Sequence, residues 1–173
     1  MYASHVLPAA RDYGAVYRSF RWQIPARYNI GVDVCDRWAE IDPARTAIFN
    51  LGADGAVEEV SYGALREASN RLANALAARG IGRGDRIALL LAQGPAVAVS
   101  HIAIYKLGAI ALPLAMLFGT EAISYRLKDS GARALISNAQ GLTKLAAVRD
   151  AALALEVVLS TDGAADGLSL IHI

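Results

Sequence analysis

The sequence has almost no cysteine: Cys35 is the single one among 173 residues. One thiol excludes an intrachain disulfide and a Cys-rich zinc site. Cys35 lies in an apolar–polar pattern with Val32, Val34 and Trp38, which favours a small core side chain over a reactive thiol. A chain without disulfides suits a reducing compartment, so we expect a cytoplasmic protein.

The sequence also lacks an excess of charge of one sign. Seventeen basic and sixteen acidic side chains give a formal net charge of +1, which provides no overall field to attract nucleic acid. We therefore expect no nucleic-acid partner.

Long apolar runs are missing as well. The most apolar region, residues 102–118, is interrupted by Lys106, Gly108 and Pro113, whereas a membrane span needs about 20 nearly uncharged residues. The N-terminus has no basic region followed by an apolar run, which is the pattern of a secretion signal. We expect no membrane partner.

What the sequence does have is apolar content: 55% of residues are hydrophobic and 19% are charged. Such a chain can bury a core, and its length fits roughly one domain of about 150 residues. The firmest helix begins after Ser61, a good N-cap, continues with Leu65, Leu72 and Leu76 on one face, and ends at Gly80 in the C′ position.

Strand and helix patterns then alternate. Apolar runs predict strands at 86–91, 110–114, 133–137 and 156–159, and helical spacing predicts helices at 95–107, 120–129 (capped by Thr120) and around 142–148. Upstream, residues 46–51 and 57–60 predict a hairpin around a Gly-Ala-Asp-Gly turn. This alternation predicts an α/β fold with a mostly parallel sheet and helices on both faces.

Three motifs suggest chemistry but have simpler interpretations. The glycine cluster 80–85 follows a helix and precedes a strand, the reverse of a dinucleotide-binding loop, so a tight turn is favoured. Residues 160–163 (Ser-Thr-Asp-Gly) follow a strand but lack the spaced lysine of a phosphate loop, which favours a surface turn. His101 has no acid or cysteine at ligand spacing and is interpreted as a helix histidine with a satisfied ring.

The order of sequence blocks resembles that of adenylate-forming enzymes. Residues 60–65 (Val-Ser-Tyr-Gly-Ala-Leu), 70–73 (Asn-Arg-Leu-Ala) and 80–88 resemble the first core region of that family. Residues 105–114 are similar to its second core region, Leu-Lys-x-Gly-Ala-x-x-x-Pro, and 126–136 match the helix–strand unit that follows. The segments 28–30 (Tyr-Asn-Ile) and 36–39 (Asp-Arg-Trp-Ala) resemble the acetyl- and medium-chain acyl-CoA synthetase branch.

This resemblance implies a two-step ligase. A carboxylate attacks the α-phosphate of ATP bound to Mg²⁺, giving an acyl-adenylate and pyrophosphate, and the thiol of coenzyme A then attacks the acyl carbon. For the parent protein it implies ATP, Mg²⁺ and coenzyme A as cofactors and a small carboxylic acid as substrate. The family's lysine-ended phosphate loop, aromatic-Gly-x-Thr-Glu segment, ribose-binding aspartate and C-terminal lysine have no match here. We therefore expect an incomplete N-terminal subdomain, inactive alone, with the remainder of the same polypeptide as its partner.

The resemblance implies no catalytic and no metal-binding residue in this chain. It places Phe118 and Gly119 on the coenzyme A side, beside the alternative that they form a plain loop before a helix N-cap.

The same reasoning divides the chain into an N-terminal arm at 1–27, a partial AMP-binding domain at 28–167 and a tail at 168–173. The arm is expected to form a short aromatic–basic helix that packs on its own protein. Two interpretations of the tail stay open: an additional strand, or a peptide encoded by translated sequencing-adapter DNA.

Two other functions also stay open, a self-contained NAD-binding α/β domain and a non-enzymatic interaction module that pairs through an apolar sheet edge.

Overall fold

The computed structural model describes residues 12–22, 25–152, 154–162 and 169–170. Most of the predicted tail, and residues 1–11 and 23–24 of the predicted arm, lie outside these ranges. The helices are α1 (Tyr13–Ser19), α2 (Arg37–Ile41), α3 (Tyr62–Ala77), α4 (Pro95–Lys106), α5 (Thr120–Ser130) and α6 (Ala139–Ala146). The strands are β1 (Thr46–Leu51), β2 (Val57–Ser61), β3 (Arg86–Leu90), β4 (Ile110–Leu114), β5 (Ala134–Ser137), β6 (Val157–Ser160) and β7 (Ser169–Leu170).

The main sheet is parallel throughout, with the strand order β4-β3-β5-β6-β7. Successive side chains of β3 point to opposite faces: Ile87 and Leu89 join a core with α3 and α4, whereas Ala88 and Leu90 join a second core with α5 and α6. Because both faces of β3 are buried, its sequence is a continuous apolar run. The predicted α/β class, with helices on both faces of a parallel sheet, is confirmed.

Helix α3 forms between the two predicted end signals. Ser61 Oγ accepts a hydrogen bond from the Ala64 amide at 3.2 Å, as an N-cap does. At the other end, the Ile81 amide donates to the Leu76 carbonyl and Gly80 takes a φ of 77°, which closes a Schellman motif. This left-handed backbone is the reason that the position favours glycine.

Strands β1 and β2 form the predicted antiparallel hairpin as a separate two-stranded sheet. One face of the hairpin contacts the α3–α4 side of the core through Ile48 and Val60.

Three of the helical segments have features that the sequence analysis did not predict. The N-cap of α5 is Gly119, and Thr120 is the first helical residue. A π-helical turn, Val32–Asp36, precedes α2. Helix α1 forms in the arm as predicted, and none of its residues is fully buried.

Candidate functional site

The carboxyl ends of the parallel strands meet at one edge of the main sheet. The segments that follow β3, β4, β5 and β6 therefore lie side by side there, and this edge is where open parallel α/β sheets bind ligands. This edge is the candidate site.

Phe118 and Gly119 are at this edge, in the loop between β4 and α5. The Arg126 guanidinium lies over the Phe118 ring, 4.2 Å from its centroid, and the ring also packs against the α5–α6 core. Gly119 is exposed, and a Cβ at that position would meet no atom within 4 Å. The loop thus places a partly buried aromatic ring beside an open backbone position.

Lys144 holds this loop in place from α6. Its ammonium group donates to the main-chain carbonyl oxygens of Met116, at 2.5 Å, and Phe118, at 3.0 Å. The Phe118 loop is therefore fixed by a cation that is itself part-buried.

Hydrogen bonds with main-chain groups connect the carboxyl ends of β3, β5 and β6. Ser137 Oγ donates to the Leu90 carbonyl at 2.6 Å, inside the core. The Thr161 amide donates to the Ser137 carbonyl, and Asp162 Oδ2 accepts from the Ala139 amide at 2.9 Å. The first turn of α6 is thus capped by a residue of the segment after β6. Because the Asp162 carboxylate already caps the N-terminus of α6, this helix end is not open to a phosphate. Gly163 of the predicted turn lies outside the described residues.

The glycine cluster lies at the opposite, amino-terminal edge of the sheet. Asp85 Oδ2 accepts from the Gly82 amide at 2.8 Å and from the Arg133 guanidinium at 2.8 Å. Both hydrogen bonds lower the pKa of Asp85. The bond from the Gly82 amide has the larger effect, and the bond from Arg133 has the next largest. The Asp85 carboxylate accepts the hydrogen bond of the Gly82 amide, which an anionic ligand would otherwise accept. This contact confirms the tight-turn interpretation of residues 80–85.

A groove of about 800 Å³ lies at the same amino-terminal edge, lined by residues 26–30, Arg83 and residues 105–109. It is far from the ends where ligands bind in parallel sheets, so we do not place the functional site there.

His101 and Cys35 behave as the sequence indicated. The His101 ring pairs with Tyr105 Oη through Nδ1 at 3.2 Å, and partial burial lowers its pKa. Cys35 is fully buried, and burial raises the pKa of its thiol to about 11. Neither residue is placed to act on a ligand at the carboxyl edge.

The described residues show no built site for Mg²⁺, and two of the three lysines are engaged in internal contacts. Within these ranges no group of three His, Cys, Asp or Glu side chains is arranged to hold a metal ion. Of the lysines, Lys106 is tied to Asp36, Ser69 and Asn70, and Lys144 is tied to loop carbonyls. Both of these ammonium groups are held by protein partners, whereas Lys128 is exposed in the last turn of α5. We assign no chemical step to this chain. Within the described part of the chain, no helix combines the length and apolar character needed to cross a membrane.

Sequence reasoning missed the contacts that organise the site. The roles of Lys144 and Asp162 depend on partners 23 to 28 residues away, which no local pattern reveals. The one local signal was the position of Asp162 two residues after the end of β6, where polar residues gather in parallel sheets.

The described residues form an open parallel α/β sheet with helices on both faces. Residues 35–171 match the family model described as AMP-binding enzyme, and the chain belongs to that family.

Known proteins agree with this membership. Over 125 residues the chain is 33% identical to the acetyl-coenzyme A synthetase of Sodalis glossinidius, covering 72% of this chain and 19% of the relative. The crystal structure of Brucella canis acyl-CoA synthetase superimposes with a TM-score of 0.70 at 32% identity, covering 84% of this chain and 25% of that one. The anthranilate CoA ligase AuaEII, solved in complex with anthranoyl-AMP, gives a TM-score of 0.72 at 28% identity over 79% of this chain and 25% of that one. The chain thus spans about a fifth to a quarter of the length of these proteins.

Proposed function

We propose that this chain is the N-terminal part of an ATP-dependent carboxylate–CoA ligase and supplies scaffold rather than chemistry. The observation that carries the proposal is the family match over residues 35–171, which contains both core regions in their expected order. It is supported by relatives named acetyl-coenzyme A synthetase and by structural neighbours named acyl-CoA synthetase and anthranilate CoA ligase.

In the parent protein the reaction would be acyl-adenylate formation followed by thioester formation. The substrate would be a small carboxylic acid, the cofactors would be ATP, Mg²⁺ and coenzyme A, and the setting would be the cytoplasm. The remainder of the same polypeptide would supply the groups that bind phosphate and stabilise developing charge. The partial domain at 28–167 would supply the parallel sheet, with the arm at 1–27 and the tail at 168–173 outside it.

Exchange of pyrophosphate into ATP tests the proposal. The purified 173-residue chain, with acetate through octanoate as substrates, should give no exchange above a blank without protein. The protein from the complete reading frame should give acid-dependent exchange and then a coenzyme A thioester. Exchange by the short chain would contradict its role as scaffold. A complete frame without a lysine-ended phosphate loop would overturn the ligase assignment.

The coenzyme A side is proposed at Phe118 and Gly119. In the complete protein, Phe118→Ala should raise the KM for coenzyme A about tenfold, since loss of one aromatic contact costs on the order of 1 to 1.5 kcal/mol. Pyrophosphate exchange should change little because it precedes coenzyme A binding. Tyr125→Ala, which truncates an exposed ring on α5, is the matched control and should leave both quantities unchanged. Equal loss of exchange and thioester formation in Phe118→Ala would assign that residue to packing alone.

The other two functions predict different results. Micromolar binding of NAD or NADP in calorimetry would favour a dinucleotide-binding domain. A stable complex with a separate protein, together with an inactive complete frame, would favour an interaction module. Sequencing the gene through codon 173 separates the two interpretations of the tail: an ordinary stop codon directly after Ile173 would count against truncation.

A further inference from the structure

The β1–β2 hairpin carries an apolar patch on its outer face. Phe49, Leu51 and Val57 are 69%, 71% and 58% exposed, and we call these three residues the hairpin patch. Leu51 pairs directly with Val57 across the strands, and Phe49 lies two residues from Leu51, so the three side chains share one face. The opposite face is the one that packs on the core through Ile48 and Val60.

A hairpin with apolar side chains on both faces is unusual at a protein surface. Antiparallel strands that cover a core normally alternate, with apolar residues inside and polar residues outside. Single exposed apolar side chains are common and need no explanation, but adjacent ones on one sheet face indicate an interaction surface. The sequence of β1, Thr-Ala-Ile-Phe-Asn-Leu, is therefore that of a strand that is covered on both sides.

We propose that the hairpin patch is the docking surface for a later segment of the same polypeptide. This inference rests on the proposed function, in which the chain is one part of a longer ligase. The relatives support it by length, because this chain covers only 19% of the acetyl-coenzyme A synthetase and 25% of the Brucella canis enzyme.

The size of the patch favours an attached segment over a second copy of the chain. Three side chains that are about two thirds exposed offer roughly 300 Å² of apolar surface. A stable interface between separate proteins buries about 800 Å² on each partner, so the patch is too small to hold a dimer. A segment of the same polypeptide has a high effective concentration and binds to a smaller area.

The rim of the patch indicates the chemistry of the segment. Glu59 pairs with Phe49 on the same face, and its carboxylate accepts a hydrogen bond from Thr46 Oγ1. The docking segment should therefore place apolar side chains over the patch and a basic side chain near Glu59.

Hydroxyl-radical footprinting of Phe49 tests the proposal directly. Phe49 should be oxidised readily in the 173-residue chain and should be strongly protected in the protein from the complete reading frame. Equal oxidation of Phe49 in the two proteins would overturn the proposal.

A stability comparison gives an independent readout. In the triple variant Phe49→Thr, Leu51→Thr and Val57→Thr, the threonines keep strand propensity while removing apolar surface. The variant should lower the Tm of the complete protein by about 2 to 5 °C, and should lower the Tm of the short chain by much less. Tyr125→Thr, at another exposed ring, is the control and should leave both proteins unchanged.

Sedimentation and the exchange assay separate the remaining outcomes. A concentration-dependent dimer of the short chain that the triple variant abolishes would assign the patch to a second copy and overturn the proposal. If the protein from the complete reading frame catalysed pyrophosphate exchange while its Phe49 stayed exposed, the docking proposal would be wrong and the ligase assignment would stand. A protected Phe49 without exchange would reject the ligase and keep the docking surface.

Discussion

The ammonium group of Lys106 lies 2.6 Å from Asp36 Oδ1, with only 9% of the Lys106 side chain and 18% of the Asp36 side chain exposed. Lys106 also donates to Ser69 Oγ at 2.9 Å and to Asn70 Oδ1 at 2.6 Å. One cation thus joins the π-helical turn, α3 and α4. Lys106 belongs to the second core region and Asp36 to the segment that resembles the acetyl-CoA synthetase branch, so the contact connects two blocks that lie far apart in the sequence.

Removing this cation should be costly. In Lys106→Met the Asp36 carboxylate stays largely buried without a countercharge, and breaking a buried ion pair in this way costs about 3 kcal/mol. We expect the free energy of unfolding, measured by urea denaturation, to fall by about that amount.

Two further variants control this experiment. Lys128→Met removes an exposed lysine and should change stability by less than about 0.5 kcal/mol. The double variant Lys106→Met with Asp36→Asn removes both charges and should recover part of the loss, since no uncompensated charge remains. If Lys106→Met changed the free energy of unfolding as little as Lys128→Met does, the ion pair would not stabilise the fold.

The Asp85 carboxylate should make stability depend on pH. Its pKa in the folded protein is lowered by the Gly82 amide and by Arg133, below an unfolded value of about 3.9. A lowered pKa stabilises the fold above the unfolded pKa, and this contribution disappears as the pH falls through the folded pKa. Asp85→Asn should thus be about 1 to 2 kcal/mol less stable than wild type at pH 7.

Urea denaturation at pH 7, 5 and 3 checks this prediction. The difference between wild type and Asp85→Asn should be the same at pH 7 and pH 5, and it should shrink at pH 3. The control Asp129→Asn removes an exposed carboxylate on α5, and its difference from wild type should stay within about 0.5 kcal/mol. A constant difference for Asp85→Asn at all three pH values would contradict a role for its charge.

Gly141 should not tolerate alanine, although it lies inside a helix. A Cβ at this position would overlap Ser137 Oγ and lie 2.9 Å from the Leu90 carbonyl oxygen, where α6 packs on the sheet. Replacing glycine by alanine stabilises a helix by about 1 kcal/mol through its higher helix propensity. Overpacking against the backbone costs about 1 to 3 kcal/mol, and we expect this cost to be the larger of the two. We expect a net loss of stability in Gly141→Ala by thermal denaturation.

The matched control for Gly141 is Gly82→Ala, where a Cβ meets nothing within 4 Å. It should leave the Tm close to that of wild type. A higher Tm in Gly141→Ala would show that α6 can move away from the sheet at little cost.

The strands and most helices could be predicted because their signals are local. The run at 86–91 predicted β3 (Arg86–Leu90), since a strand buried on both faces must be apolar at successive positions. Ser61 and Gly80 predicted the ends of α3 because a cap hydrogen bond and a left-handed backbone depend on a few neighbouring residues.

The remaining features depend on contacts between distant parts of the chain. The π-helical turn forms beside α4, where a Cβ on Gly31 would lie 2.8 Å from the Ile102 carbonyl oxygen. The spacing of apolar residues along the sequence does not reveal such a close approach between two segments. At the candidate site, Phe118 and Gly119 were proposed from the resemblance alone. Their geometry depends on Lys144 and Arg126, whose roles become visible only when α5 and α6 have packed on the sheet.

Cys35 should be inert in the folded protein. Its side chain is fully buried, and desolvation by burial raises the pKa of the thiol to about 11. Since the thiolate is the reacting species, a pKa three units above pH 8 leaves about one thiol in a thousand ionised, and burial hinders even that fraction. A disulfide reagent such as DTNB at pH 8 should therefore label Cys35 slowly in buffer and completely within minutes in concentrated urea. Labelling that is as fast in buffer as in urea would mean that the π-helical turn around Cys35 opens readily, and that the Lys106–Asp36 pair does not hold it closed.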